Sequence, residues 1–307
     1  MQSREAYVSY PPGAVIPIYL LSWTLRREPT VAIIMGWNLA NHFLIALLLG
    51  LTVYFALSNA GMSPLNALAF SVSAPCLELL FPAPFYFLQS VYGMDTAVLL
   101  PFAAVVFLET LRASTPKGKL LTAIDSLQWC AFFFGYLTDW LMVFVGVTVY
   151  AKRLVLGEVP RSSLSAFLKA GVAFWSSAWV AGALFVAQVT WLAGWKTLLA
   201  RFLIRSGIDR EHSDFPPQTV FNYFYHFIPD AFGPCAQWVL LGRIVFFLGL
   251  WARAAVRRFR GVSDGPAIAS LLAVMGLAIL PCLIQLRVFW QHSGHSFSAV
   301  KFSVPCH

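Results

Sequence analysis

Val31–Leu57 reads VAIIMGWNLANHFLIALLLGLTVYFAL, an apolar stretch that contains no Asp, Glu, Lys or Arg. About 20 such residues cross the ~30 Å of hydrocarbon in a bilayer as a helix. Lipid offers a peptide group no hydrogen-bond partner, so a stretch of this length must close its backbone bonds on itself. The pattern recurs at about 65–81, 96–111, 120–138, 140–150, 164–192, 232–251 and 267–288. The alternation of a membrane β-barrel is absent. The expected fold is therefore all-α: one polytopic transmembrane helix bundle over 1–307, with about eight spans. Ala14–Leu25 is too short to span and runs into Arg26, Arg27 and Glu28, which predicts an N-terminal interfacial helix.

Composition supports this reading. Hydrophobic residues make up 59% of the 307, charged residues 11%, and the mean hydropathy is +0.72. A soluble domain carries about 25% charged residues. The formal net charge of +8 does not point to nucleic acid, because the basic residues form short clusters between apolar segments, as orientation signals do. The five cysteines show no CxxC spacing, so neither a disulfide framework nor a metal site is expected. No signal-peptide pattern opens the chain, and insertion is expected to use the spans themselves. No Walker loop, GxGxxG or GxSxG is present, which argues against an ATPase, a dinucleotide enzyme and an α/β-hydrolase.

Alternate loops set the orientation. Arg112, Lys117 and Lys119 follow span three; Lys152, Arg153 and Arg161 follow span five; Arg253, Arg257, Arg258 and Arg260 follow span seven. Short basic loops stay cytoplasmic. The segment 1–30, the turn PAPFYFLQSVYGMD, Asp139, the polar stretch 193–231 and the tail 289–307 then face outward. The six spans within 31–192 and the two within 232–288 carry these segments, and the functional face of this multi-pass cell-membrane protein is expected to be extracytoplasmic.

Several residues there have chemistry to offer. Asp95 opens the third span, where a carboxylate acts as a general base toward a substrate or caps the helix. Glu78, in the outer part of span two, is an ionisable group at membrane depth and so a functional candidate; an interfacial ion pair is its structural alternative. Arg243 falls near the middle of span seven and needs an anionic partner: Glu78, Asp125 or a lipid phosphate. Arg287 and Lys301 are phosphate contacts or interfacial anchors. His292 and His295 share a helical face at a spacing of three, but no HExxH accompanies them and no metal site is assigned. His212 and His226 suit sugar recognition or a folded lid. The tryptophans at 175, 179, 191 and 195 read as an interfacial belt.

Three segments resemble the C-type membrane glycosyltransferases, the group of protein O-mannosyltransferases and aminoarabinose transferases. They are YVSYPPGAVIPIYLLSW at 7–23, SPLNALAFSVSAPCLELLFPAPFYFLQSVYGMDTAVLLPFAAVVFLETLRAS at 63–114, and the hairpin WCAFFFGYLTDWLMVFVGVTVY. The resemblance covers the first half well and the rest by layout. It implies a polyprenyl-phosphate sugar donor, with Asp95 and Glu78 as catalytic carboxylates. It implies Tyr10, Pro11, Gln89, Tyr92 and Asp139 as substrate-binding positions, joined by Arg243, His292, His295 and Lys301. No cofactor is implied, and a divalent metal at the phosphate is compatible with this donor. The expected partners are membrane lipids and the lipid-linked sugar, not nucleic acid; a partner subunit and a homo-oligomer both stay open. One departure stands out. The family's first spanning helix and first catalytic loop precede the Pro-Pro segment, and this sequence starts almost at that segment. A shortened enzyme, an inactive relative or one half of a split enzyme would each look like this. The rival classes are a multi-pass transporter and a non-catalytic membrane assembly subunit.

Overall fold

The computed structural model describes residues 13, 15–73, 75–76, 97–139, 141–160, 163–205 and 236–260. Among them the regular structure is helical, with no strand. The helices are α1 (Ile16–Thr24), α2 (Val31–Asn59), α3 (Pro64–Ser71), α4 (Leu99–Ser114), α5 (Lys119–Thr138), α6 (Leu141–Val155), α7 (Leu164–Ala193), α8 (Trp195–Arg205) and α9 (Ala236–Phe259). Three of them, α2, α5 and α7, are long and apolar enough to cross a membrane. The described residues are thus all-helical, and their three long apolar helices suggest a multi-pass membrane protein.

Local chemistry sets the helix ends. Thr30 is extended, and its hydroxyl accepts from the Ile33 amide to start α2. Ser63 caps α3 in the same way, with Pro64 next, where its missing N–H costs nothing. After α2 the chain turns at Gly61, whose φ of +88° is a left-handed conformation that L side chains resist. Pro17 sits in the first turn of α1, whose nine residues match the expected short helix before the first span.

The other expected spans are shorter or lie elsewhere. Helix α4 has 16 residues and α6 has 15. At 1.5 Å per residue these reach about 22–24 Å, short of the full hydrocarbon thickness. Of the expected span 65–81, the described part is α3 and four residues beyond it, 72, 73, 75 and 76; the expected span 267–288 lies outside the described residues. Helix α9 has 24 residues and carries several arginines. The polar stretch expected at 193–231 opens with helix α8.

The chain divides into two compact units. One contains 10–185 and 250–277, and its core is built by α4, α5, α6 and the first part of α7. Val105 and Val106 of α4, Phe132 and Tyr136 of α5, Met142, Val145 and Val149 of α6, and Ala181 of α7 interlock there. Helix α2 packs along α3 and α4, with Ile45 meeting Ala103. Large apolar side chains remain exposed on the outer faces of α2, α5 and α7, among them Phe43, Leu127, Phe134 and Trp179. Lipid, not water, is the solvent that such faces suit. The second unit contains 1–9, 186–249 and 278–307. Its described parts are the end of α7, α8 and the first part of α9.

Candidate functional site

Helix α4 descends, α5 returns, and α6 runs parallel to α4. The C-terminal ends of α4 and α6 therefore meet the start of α5 at one end of the bundle. The α5–α6 turn lies at the other, about 15–20 Å away by helical rise.

The first end holds a network of ion pairs. Glu109 of α4 is fully buried. Its carboxylate takes hydrogen bonds from Lys152 and from Arg153 of α6, the latter through Nε at 3.0 Å. Gln128 of α5 donates to the same carboxylate at 2.9 Å, and its carbonyl accepts from Arg153. Arg112, one turn after Glu109, bonds Asp125 at 2.9 Å and pairs with Glu158 beyond α6. The Arg153 guanidinium also lies 5.3 Å over the Phe174 ring of α7. Burial works against the Arg112 charge, but Glu158, Glu109 and Asp125 outweigh it and hold its pKa above the usual arginine value.

The charges balance. Arg112, Lys152 and Arg153 give three positive charges, and Glu109, Asp125 and Glu158 give three negative ones. Nothing in that sum is left over to hold a phosphate. The network ties four helices together, and its chemistry is structural: a buried pair broken on one side costs about 3–5 kcal/mol. Lys152 and Arg153 also stand in the last turn of α6, where cations offset the helix dipole.

The second end is built on backbone. Gly13 is buried. A Cβ at this position would fall 2.4 Å from the Leu137 carbonyl oxygen and 2.8 Å from the Thr138 amide nitrogen. Gly13 thus meets the C-terminus of α5 with no room for a side chain. Asp139 follows in an extended conformation, φ −154° and ψ 145°, and is 8% exposed. Its amide donates to the Gly135 carbonyl at 2.9 Å and its carbonyl accepts from the Met142 amide at 3.2 Å. One residue thus closes α5 and opens α6.

Between the two ends the helices approach closely. Gly146 of α6 lies under the Tyr136 hydroxyl and the Trp175 ring: a Cβ there would come within 2.3 Å of the first and 2.9 Å of the second. The Trp129 indole of α5 donates to Ser176 of α7 at 2.7 Å.

Of the candidate site residues, Asp139 is the one whose side chain is described. Tyr10, Pro11, Glu78, Gln89, Tyr92, Asp95, His292, His295 and Lys301 lie outside the described residues, as do Arg287, His212 and His226. Arg243 lies on α9, with its side chain outside the description. Asp125, one of the partners proposed for Arg243, is engaged by Arg112. Sequence reasoning passed over Glu109, Gln128 and Glu158. The signal was present: a lone carboxylate inside an apolar stretch, three residues before an arginine, is an ionisable group at membrane depth that demands a partner.

Comparison with known protein families, with curated proteins and with solved structures finds no match to this chain.

Proposed function

We propose that the chain is a membrane glycosyltransferase-like protein of the C-type group, with about eight spans. In this reading it transfers a sugar from a polyprenyl-phosphate donor to an acceptor on the extracytoplasmic face. The observation that supports it most is the seating of Gly13 on Leu137 and Thr138. Two segments that carry the resemblance, far apart in sequence, come together beside Asp139. The basic residues that mark the cytoplasmic side gather at the opposite end, around Glu109.

The proposed chemistry is a displacement at the anomeric carbon. The carboxylate of Asp95, supported by Glu78, takes the acceptor hydroxyl proton as the new C–O bond forms. The bond to the donor phosphate breaks, and that oxygen leaves with the electron pair. Arg243, Lys301, His292 and His295 are assigned to steady the leaving phosphate. Tyr10, Pro11, Gln89, Tyr92 and Asp139 are assigned to hold donor and acceptor.

A second reading, a non-catalytic assembly subunit, is favoured by one observation. The best-built polar group among the described residues is saturated with its own partners. The two readings separate in membranes expressing the chain and supplied with radiolabelled polyprenyl-phosphate sugar. Label transfer that is lost in Asp95→Asn is the outcome expected of the transferase. Equal labelling with and without the chain contradicts it and leaves the assembly or transport reading.

A further inference from the structure

Helix α8, Trp195–Arg205, follows the long apolar α7 after a single residue, Gly194. Gly194 has φ +80°, so the chain leaves the axis of α7 through a conformation that glycine accepts readily. The new helix has 11 residues, about 16 Å at 1.5 Å per residue, too short to cross a bilayer. Its sequence, WKTLLARFLIR, is also unlike that of a span.

Helical register divides it, with position 204 (Ile) as the one large apolar residue on the far side. At 100° per residue, positions 195, 198, 199, 202 and 203 (Trp, Leu, Leu, Phe, Leu) fall on one face. Positions 196, 201 and 205 (Lys, Arg, Arg) run along the two borders of that face. The helix contains no acidic residue. Trp195, Lys196 and Leu199 are exposed, as are Trp191 and Leu192 at the end of α7. Among the described residues no other helix packs along α8. An apolar strip bordered by cations, next to the aromatic end of a spanning helix, has the form of a surface helix that lies in the plane of the bilayer.

We propose that α8 is an in-plane membrane anchor that sets its apolar strip into the headgroup boundary and binds anionic lipid phosphates along its cationic borders. Two features favour lipid over a protein partner. The strip continues from the end of a span, which fixes its depth at the interface. Its cations occupy register positions on both borders of the strip, the placement typical of helices whose lysines and arginines snorkel to headgroups. Each basic residue near an anionic surface adds to binding, and three act together here.

The test uses the full chain in vesicles. The five native cysteines are replaced, and single cysteines at positions 195 to 203 carry a spin label. Collision with oxygen, which dissolves in lipid, is compared with collision with a water-soluble nickel chelate. The expected result is an oxygen maximum at 198, 199 and 202 with a period of about 3.6 residues. The labels should sit deeper in phosphatidylglycerol than in phosphatidylcholine, and the triple variant K196Q/R201Q/R205Q should remove that difference. A label at 197, on the far side, reads the docking without disturbing the strip and should meet the nickel chelate in both lipids. Equal access of the chelate to every position overturns the proposal. So does protection of the strip from both reagents, which would place protein on it, and so does equal depth in the two lipids.

Discussion

The two ends of the α4–α6 bundle are joined by opposite means. One is held by side chains: Glu109, Lys152, Arg153, Gln128, Arg112, Asp125 and Glu158 satisfy one another in a neutral network. The other is held by backbone, with Gly13 against the last turn of α5 and Asp139 shared between two helices. The contrast bears on where a substrate could find a partner. A saturated, charge-neutral network has no group to lend to a substrate.

The comparison breaks most directly at Glu109. Glu109→Gln leaves Lys152 and Arg153 without their carboxylate, and should cost about 3–5 kcal/mol. Loss of folded yield and a lowered unfolding midpoint in detergent would register it. Removing Lys152 as well, in E109Q/K152M, should restore part of that loss. An unchanged midpoint in E109Q would show that the network holds nothing together.

At the other end the effect should be somewhat smaller. Gly13→Ala drives a Cβ into the Leu137–Thr138 backbone and should cost about 1–3 kcal/mol by overpacking. Gly36→Ala is its control, since no atom lies within 4 Å of the added Cβ; in the interior of α2 it should gain about 0.5–1 kcal/mol. Equal behaviour of the two variants in thermal unfolding would deny the close approach at Gly13.

The middle of the bundle gives a coupled test. Gly146→Ala meets the Tyr136 hydroxyl and the Trp175 ring. Its cost should fall by about 1 kcal/mol in a Tyr136→Phe background, as neighbours in contact do not act additively. The smallest effect belongs to Asp125→Asn. Asp125 is 42% exposed in its pair with Arg112, and an exposed pair of this kind contributes about 0–1 kcal/mol. A loss as large as that of E109Q would make the rim of the network as important as its buried centre.

The sequence made the helical membrane character legible, because the signal in Val31–Leu57, Leu120–Thr138 and Leu164–Leu192 is length and apolarity alone. The α5–α6 hairpin was legible too: a polar Thr138-Asp139 pair between apolar runs has few other uses. Hidden was the partnership of Glu109. Its cations lie 43 and 44 residues away, at the end of α6, and no local pattern shows that α4 and α6 run side by side. The contact of Gly13 was hidden for the same reason, since a glycine after two prolines reads as a turn until the helix it touches is known. The helical start of the polar stretch after α7 was missed because its arginines were read as loop. Their register with Trp195, Leu198 and Leu199 was the signal.

In the proposed transferase, chemistry belongs to the end bearing Asp139 and architecture to the end bearing Glu109. Sugar transfer from a radiolabelled polyprenyl-phosphate donor, measured per folded molecule, tests it with Asp139→Asn beside Asp125→Asn. Transfer should collapse in D139N and persist in D125N. Transfer that persists in D139N and fails in D125N would contradict it and move the chemistry to the ion network.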